Sequence, residues 1–194
     1  MNQKHDEIRN LLIKNLNEVL RDVEHEPRLK PLTPNDTFAS RSTILDPDAR
    51  SDIRARGFWS EQVDAFFDVR VFYPNASSYM TRDLRSLYCS MEKLKKSQYG
   101  ERILHVDHGS FTPLVFSTFG GMGGEANRMV KKLSTMLAEK RNESYSHIVG
   151  HMRASLSFAL CRAANVCLRG TRRRRSFVAE PPTATDVATF LCSI

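Results

Sequence analysis

Residues 51–74 read SDIRARGFWSEQVDAFFDVRVFYP, and the rest of the chain is arranged around them. Residues 65–73 give the strongest strand signal in the sequence, because Phe66, Phe67, Val69, Val71, Phe72 and Tyr73 are all strand formers. Their apolar side chains fall on both faces, which predicts a buried central strand. Residues 51–56 predict a second, shorter strand, and Gly57 with Ser60-Glu61-Gln62 marks the connection between the two. Each strand carries an aspartate, Asp52 in the first and Asp68 in the second. Asp68 and Arg70 are two residues apart and so share one face. Pro74-Asn75 closes the strand.

Upstream, residues 3–20 predict an amphipathic helix, with Ile8, Leu11, Leu12, Leu16, Val19 and Leu20 at three- and four-residue spacing. Residues 22–26 suit a short strand that Pro27 ends, and 28–48, with Pro31, Pro34 and Pro47, reads as a loop. Downstream, 81–99 predicts a helix with a basic end formed by Lys93, Lys95 and Lys96. FTPLVFSTF at 111–119 predicts a further strand, whose Pro113 argues for an edge position or a bulge near its start. The GGMGG run at 120–124 reads as a turn whose glycines take up positive φ. It lacks the Gly-Lys-Ser/Thr ending of a phosphate loop. Helices are predicted over 125–140 and 145–169. The fold class that follows is α/β, a small mixed central sheet flanked by helices on both faces.

The 194 residues fit one domain over 1–170, followed by a basic segment and loose tail over 171–194. A net charge of +7 favours a polyanionic partner, DNA or RNA ahead of a membrane surface. No apolar run approaches the length of a membrane span, and residues 1–10 have no signal core. Four cysteines with no C-x-x-C pair suit reduced thiols, so an intracellular setting, nuclear or cytoplasmic, is expected. A helix begins almost at Met1, an abrupt start that fits the C-terminal piece of a longer protein.

Two aspartates on adjacent strands can meet one Mg²⁺ or Mn²⁺ ion, which is usually held by one or two carboxylates plus waters and substrate oxygens. A cation beside the second aspartate, here Arg70, can stabilise charge developing on a phosphate. The competing reading makes Asp68 the partner of Arg54, Arg56 or Arg70 in a purely structural ion pair. Other carboxylates, Glu7, Glu18, Glu24 and Glu26, are candidates for a further ligand but read first as solvated glutamates. His147 and His151 stand at zinc-ligand spacing with no third ligand nearby. His105, Asp107 and His108 form a polar cluster that would support the site from behind or belong to a loop. Arg172, Arg173, Arg174 and Arg175 form the strongest basic block, a candidate phosphate contact or nuclear-localisation signal.

The arrangement DI-RARGFW…AFFDVRVFYP resembles the PD-(D/E)XK nuclease superfamily. The resemblance implies a restriction-endonuclease-like fold and metal-dependent phosphodiester hydrolysis of nucleic acid. Asp52 would be the first metal ligand, Asp68 the second, and Arg70 would hold the lysine position. Arginine stays protonated, so Arg70 can stabilise charge but cannot act as a base. The resemblance therefore also covers a catalytically inactive nucleic-acid-binding module. Some exonuclease branches place a Gln and a Tyr at i, i+4 on the following helix to touch substrate; Lys95 and Tyr99 hold those places here. The wider text, with EPRLKPL, DIRARGFW, AFFDVRVF, FTPLVFSTFGGMG and LRG, is similar to proteins of animal genomes associated with reverse-transcriptase-bearing mobile elements. That similarity implies other domains of a mobile-element polyprotein as partners.

Overall fold

The structure, a computed structural model, describes residues 3–170, with side chains over 5–162. Helix α1 (Gln3–Val19) forms where the sequence pattern puts it, and Ile8, Leu12 and Leu16 along its apolar stripe are fully buried. Strands β1 (Val23–His25), β2 (Ile53–Arg56), β3 (Asp64–Phe72) and β4 (Ser110–Ser117) make one sheet in that order. β1 with β2 and β2 with β3 are antiparallel, and β3 with β4 is parallel. A parallel neighbour needs a crossover. Here α2 (Leu84–Lys95) and two π-helical turns, Lys96–Gly100 and Ile103–Asp107, provide it. Helices α3 (Gly124–Arg141) and α4 (Tyr145–Gly170) follow. The fold is a mixed α/β domain.

β3 is central and β4 lies at an edge, where Pro113 removes no needed ladder bond. The first face of the sheet, with Ile53, Ala55, Phe67, Val69, Leu114 and Phe116, is buried against α1, α3 and α4. Burying each of these larger apolar side chains contributes about 1.5–3 kcal/mol. The second face carries Phe66, Asp68, Arg70 and Phe72 from β3. Phe72 packs with Val115 under Leu87, Tyr88 and Met91 of α2. Phe66 packs with Leu29, Ala49 and Ile103 under the 28–50 loop and the second π-helical turn. Asp68 therefore sits between two apolar clusters on this face.

The structure departs from the sequence reading at three places. The helix expected over 81–99 stops at Lys95, where an Asp83 cap accepts from Ser86 N at its start and a π-helical turn takes over at its end. In the GGMGG run only Gly120 has positive φ, at 89°. Gly121 and Gly123 serve close approach instead: a Cβ on them would overlap the Tyr88 hydroxyl and the Glu92 carboxylate. That carboxylate accepts from Glu125 N at 3.0 Å and so caps α3. The breaker-rich loop is also tied down. Arg102, fully buried, donates to the carbonyls of Lys30, Ile44 and Asp46 at 3.1, 2.9 and 2.7 Å. Asp107 Oδ1 accepts from Lys30 N at 3.0 Å, so Asp107 anchors the loop rather than supporting the aspartate pair.

Candidate functional site

Asp52 stands one residue ahead of β2, not within it as the sequence suggests. Ile53 pairs with Phe67. Continuing that register by one residue sets Asp52 across from Asp68, and facing residues share a face. Asp52 is fixed there by two bonds: its N–H donates to Phe67 O at 3.1 Å, and its Oδ2 accepts from Val69 N at 2.6 Å. The two aspartates thus stand opposite each other on adjacent strands.

Asp68 is 5% exposed. Burial raises its pKa above the ordinary aspartate range; Lys95 opposes that rise and the nearby Asp52 charge adds to it. Its counter-ion is none of the arginines weighed from the sequence. The ammonium of Lys95, at the last turn of α2, lies 2.8 Å from Asp68 Oδ2. This is a close ion pair, and Lys95 is the group that holds the buried carboxylate. Arg54 is engaged elsewhere, by Asp22, Glu24 and Asp64. Lys95 is thus not a solvated helix end.

Tyr99 follows in the first π-helical turn. Lys95 Nζ sits 5.3 Å from its ring centroid, within cation–π range. Burial first, then the charges of Asp68 and Asp52, push the Tyr99 phenol up to about 12. It therefore stays protonated at neutral pH and can donate but not accept a proton. π-helical insertions occur frequently at functional sites, and this one begins directly after Lys95.

One residue at the site was missed from the sequence. His5 Nε2 lies 2.8 Å from Asp52 Oδ2, and its Nδ1 lies 3.5 Å from Asp6 Oδ1. The hydrogen bond to Asp52 raises its pKa against the opposing effect of burial. A signal for it existed: His5 precedes Ile8 and Leu12 by three and seven residues, so a polar group heads the apolar stripe of α1. The glutamates weighed for this role lie elsewhere. Glu18 pairs with Arg141 at 2.6 Å, Glu7 faces Arg162 at 3.7 Å, Glu24 binds Arg54, and Glu26 binds Arg9.

Arg70 shares the Asp68 face of β3, opposite Val115 of β4, is partly exposed, and enters no ion pair among the described residues. His147 is bonded to Glu143 at 2.8 Å on an exposed turn of α4. Arg172, Arg173, Arg174 and Arg175 lie outside the described residues.

Among the described residues no group of three or more His, Cys, Asp and Glu side chains is arranged to hold a metal. Two carboxylates completed by waters and phosphate oxygens is the usual donor set for Mg²⁺. Asp52 and Asp68, opposite each other on adjacent strands, would supply the two carboxylates, and the Lys95 ammonium already lies 2.8 Å from Asp68 Oδ2. Compared with known proteins, the chain matches no family model, and no curated protein is significantly similar to it.

Proposed function

We propose that this domain hydrolyses phosphodiester bonds of nucleic acid in the manner of PD-(D/E)XK nucleases, with Asp52 and Asp68 as ligands for Mg²⁺ or Mn²⁺. The observation that supports this reading is the register that sets Asp52 opposite Asp68, with a lysine 2.8 Å from Asp68. A divalent ion held there would activate a water and neutralise charge on the phosphate. Lys95 supplies an ammonium beside the second aspartate, the place the resemblance gives to Arg70. Arg70 adds a fixed positive charge on the same face, and the Tyr99 phenol remains a donor toward a phosphate oxygen. Val69 N–H and His5 hold Asp52 in place. The substrate is DNA or RNA, and other domains of a mobile-element polyprotein, acting in the nucleus or cytoplasm, are the partners.

The test compares wild type with Asp52→Asn and Asp68→Asn on labelled DNA and RNA, with Mg²⁺, Mn²⁺ or EDTA. A metal-dependent product that falls about 100-fold or more in both variants is expected. Equal product from wild type and Asp68→Asn overturns the reading. A second reading, binding without cleavage, is favoured by one feature: His5 and Lys95 already face the two carboxylates. It expects salt-sensitive binding with no metal-dependent product.

A further inference from the structure

Arg9 of α1 is only 6% exposed, and arginine is rarely this buried unless it is paired. It meets two carboxylates at once: its Nη2 lies 3.1 Å from Asp6 Oδ1, and its Nη1 donates to Glu26 Oε1 at 2.5 Å. Each contact leads on to Asp52. Asp6 Oδ1 lies 3.5 Å from His5 Nδ1, and His5 Nε2 lies 2.8 Å from Asp52 Oδ2. Glu26 N donates to the Asp52 carbonyl at 3.0 Å. Arg9, Asp6, His5, Asp52 and Glu26 therefore close a ring that joins α1, the residue after β1 and the residue before β2.

Two features of this ring work against stability. Arg9 Nε is buried with no acceptor among the described residues, so the desolvation of that N–H is not compensated. Glu26 has a φ of 49°, the left-handed region that disfavours residues other than glycine, and the proline that follows it favours extended backbone there. Strain of this kind persists only where the surrounding structure holds it, and it clusters at functional sites. What the ring fixes is the orientation of one carboxylate. Asp52 Oδ2 accepts from Val69 N at 2.6 Å and also meets His5, while Oδ1 has no hydrogen bond among the described residues.

We propose that Arg9 is a positioning residue for Asp52: by holding Asp6 behind His5, and Glu26 behind the Asp52 backbone, it keeps Oδ2 engaged and presents Oδ1 to a divalent ion. The partners that stand behind metal ligands set ligand orientation, and their loss typically weakens metal binding or activity about 10–100-fold. The inference rests on Asp52 as a metal ligand in the proposed function, and it brings α1 and the end of β1 into that site.

The test uses the full chain and two measurements. The first needs no metal: the Val69 amide proton, bonded to Asp52 Oδ2, is followed in proton–nitrogen NMR spectra. The second is the Mn²⁺ concentration that gives half-maximal product from labelled DNA and RNA, determined together with kcat at saturating Mn²⁺. Arg9→Met is expected to move the Val69 amide in the direction that Asp52→Ala moves it. It should also raise the half-maximal Mn²⁺ concentration about 10-fold, with a smaller change in kcat. Arg9→Lys, which can still meet one carboxylate, should recover part of both. Arg141→Met, which cuts the tie to Glu18 at the other end of α1, should change neither. A Val69 amide that stays in place in Arg9→Met, or a half-maximal Mn²⁺ concentration that does not rise, overturns the role of Arg9 and leaves the hydrolysis reading standing. So does an equal displacement of the Leu114 and Phe116 amides of β4, since general loosening of the sheet would then account for the change. If Arg9→Met does not fold, Glu26→Met removes one of the two contacts at a partly exposed position and carries the same expectations at smaller size. No metal-dependent product from wild type overturns the proposed function and this inference together.

Discussion

Replacing Lys95 with methionine keeps its length and apolar stem and removes only the ammonium. The consequence follows from burial. Asp68 has a side chain 7% exposed, and Lys95, 2.8 Å away, is 19% exposed. Removing one partner of a buried ion pair costs about 3–5 kcal/mol, because the remaining charge stays desolvated. Water reaches the Lys95 end, so Lys95→Met is expected to cost about 2–3 kcal/mol. That corresponds to a melting temperature lower by about 4–12 °C for a domain of this size. Asp68→Asn should cost less, about 0–1 kcal/mol, because the freed lysine can extend to solvent. The double variant should be more stable than Lys95→Met alone. The pH dependence has a fixed sign. Burial already raises the Asp68 pKa, and Lys95 is the principal group opposing that rise. Without Lys95 the folded state holds the Asp68 proton more tightly than the unfolded chain does. Stability then falls as pH rises between the ordinary aspartate value and the raised one, so the deficit is full at pH 7 and shrinks on acidification. Urea unfolding at pH 7 and pH 5 reads all of this as midpoints at constant slope. If Asp68→Asn is the more damaging single change, or the Lys95→Met deficit does not shrink at lower pH, the reasoning fails.

Two further outcomes follow from neighbouring groups. Arg102→Met leaves the carbonyls of Lys30, Ile44 and Asp46 without their donor, and is expected to cost about 3 kcal/mol or more; limited proteolysis should then cut within residues 30–46, where wild type resists. The Tyr99 phenol, raised to about 12, binds its proton more tightly folded than unfolded, so stability should fall as pH rises from about 10 to about 12. A shift of that size amounts to about 2.7 kcal/mol, reduced to about 1–2 kcal/mol because the ring is partly solvated. Tyr99→Phe should remove this loss from alkaline unfolding curves; a curve identical to wild type would show that Tyr99 does not titrate with the fold.

The strands and helices were legible because their periods are strong. The six-residue apolar set of 65–73 could only be a central strand, and Pro113 pointed β4 to an edge. That Asp52 and Asp68 lie on adjacent strands was also legible, but the antiparallel register that sets them opposite each other was not. The ion pairs were not. Lys95 is separated from Asp68 by 27 residues, and which cation reaches Asp68 depends on where α2 ends against the sheet. That end is set by the π-helical turn, which has no period of its own in the sequence. His5 was hidden for a related reason: a polar residue at a helix start reads as solvated until the helix is docked. Gly121 and Gly123 were misread because φ is a local property, whereas the clearance they give to Tyr88 and Glu92 is a tertiary one.

The Asp68–Lys95 pair bears on the proposed function. Buried pairs of this kind are no more stabilising than a well-packed apolar pair of similar volume, and often less. On β3 this face runs Phe66, Asp68, Arg70, Phe72, so Asp68 and Arg70 together separate the two apolar clusters. An aspartate buried there is not explained by stability, which leaves register or the chemistry proposed above. Register is already specified by the central position of β3 and by its eight-residue pairing with β4. Chemistry remains. Asp52 faces His5, Asp68 faces Lys95, and Arg70 stands beside them with no ion pair among the described residues. With His5 protonated, the five groups carry one net positive charge at a partly open sheet face. That balance suits a phosphate better than it suits a bare cation, and a metal would enter with the phosphate rather than ahead of it.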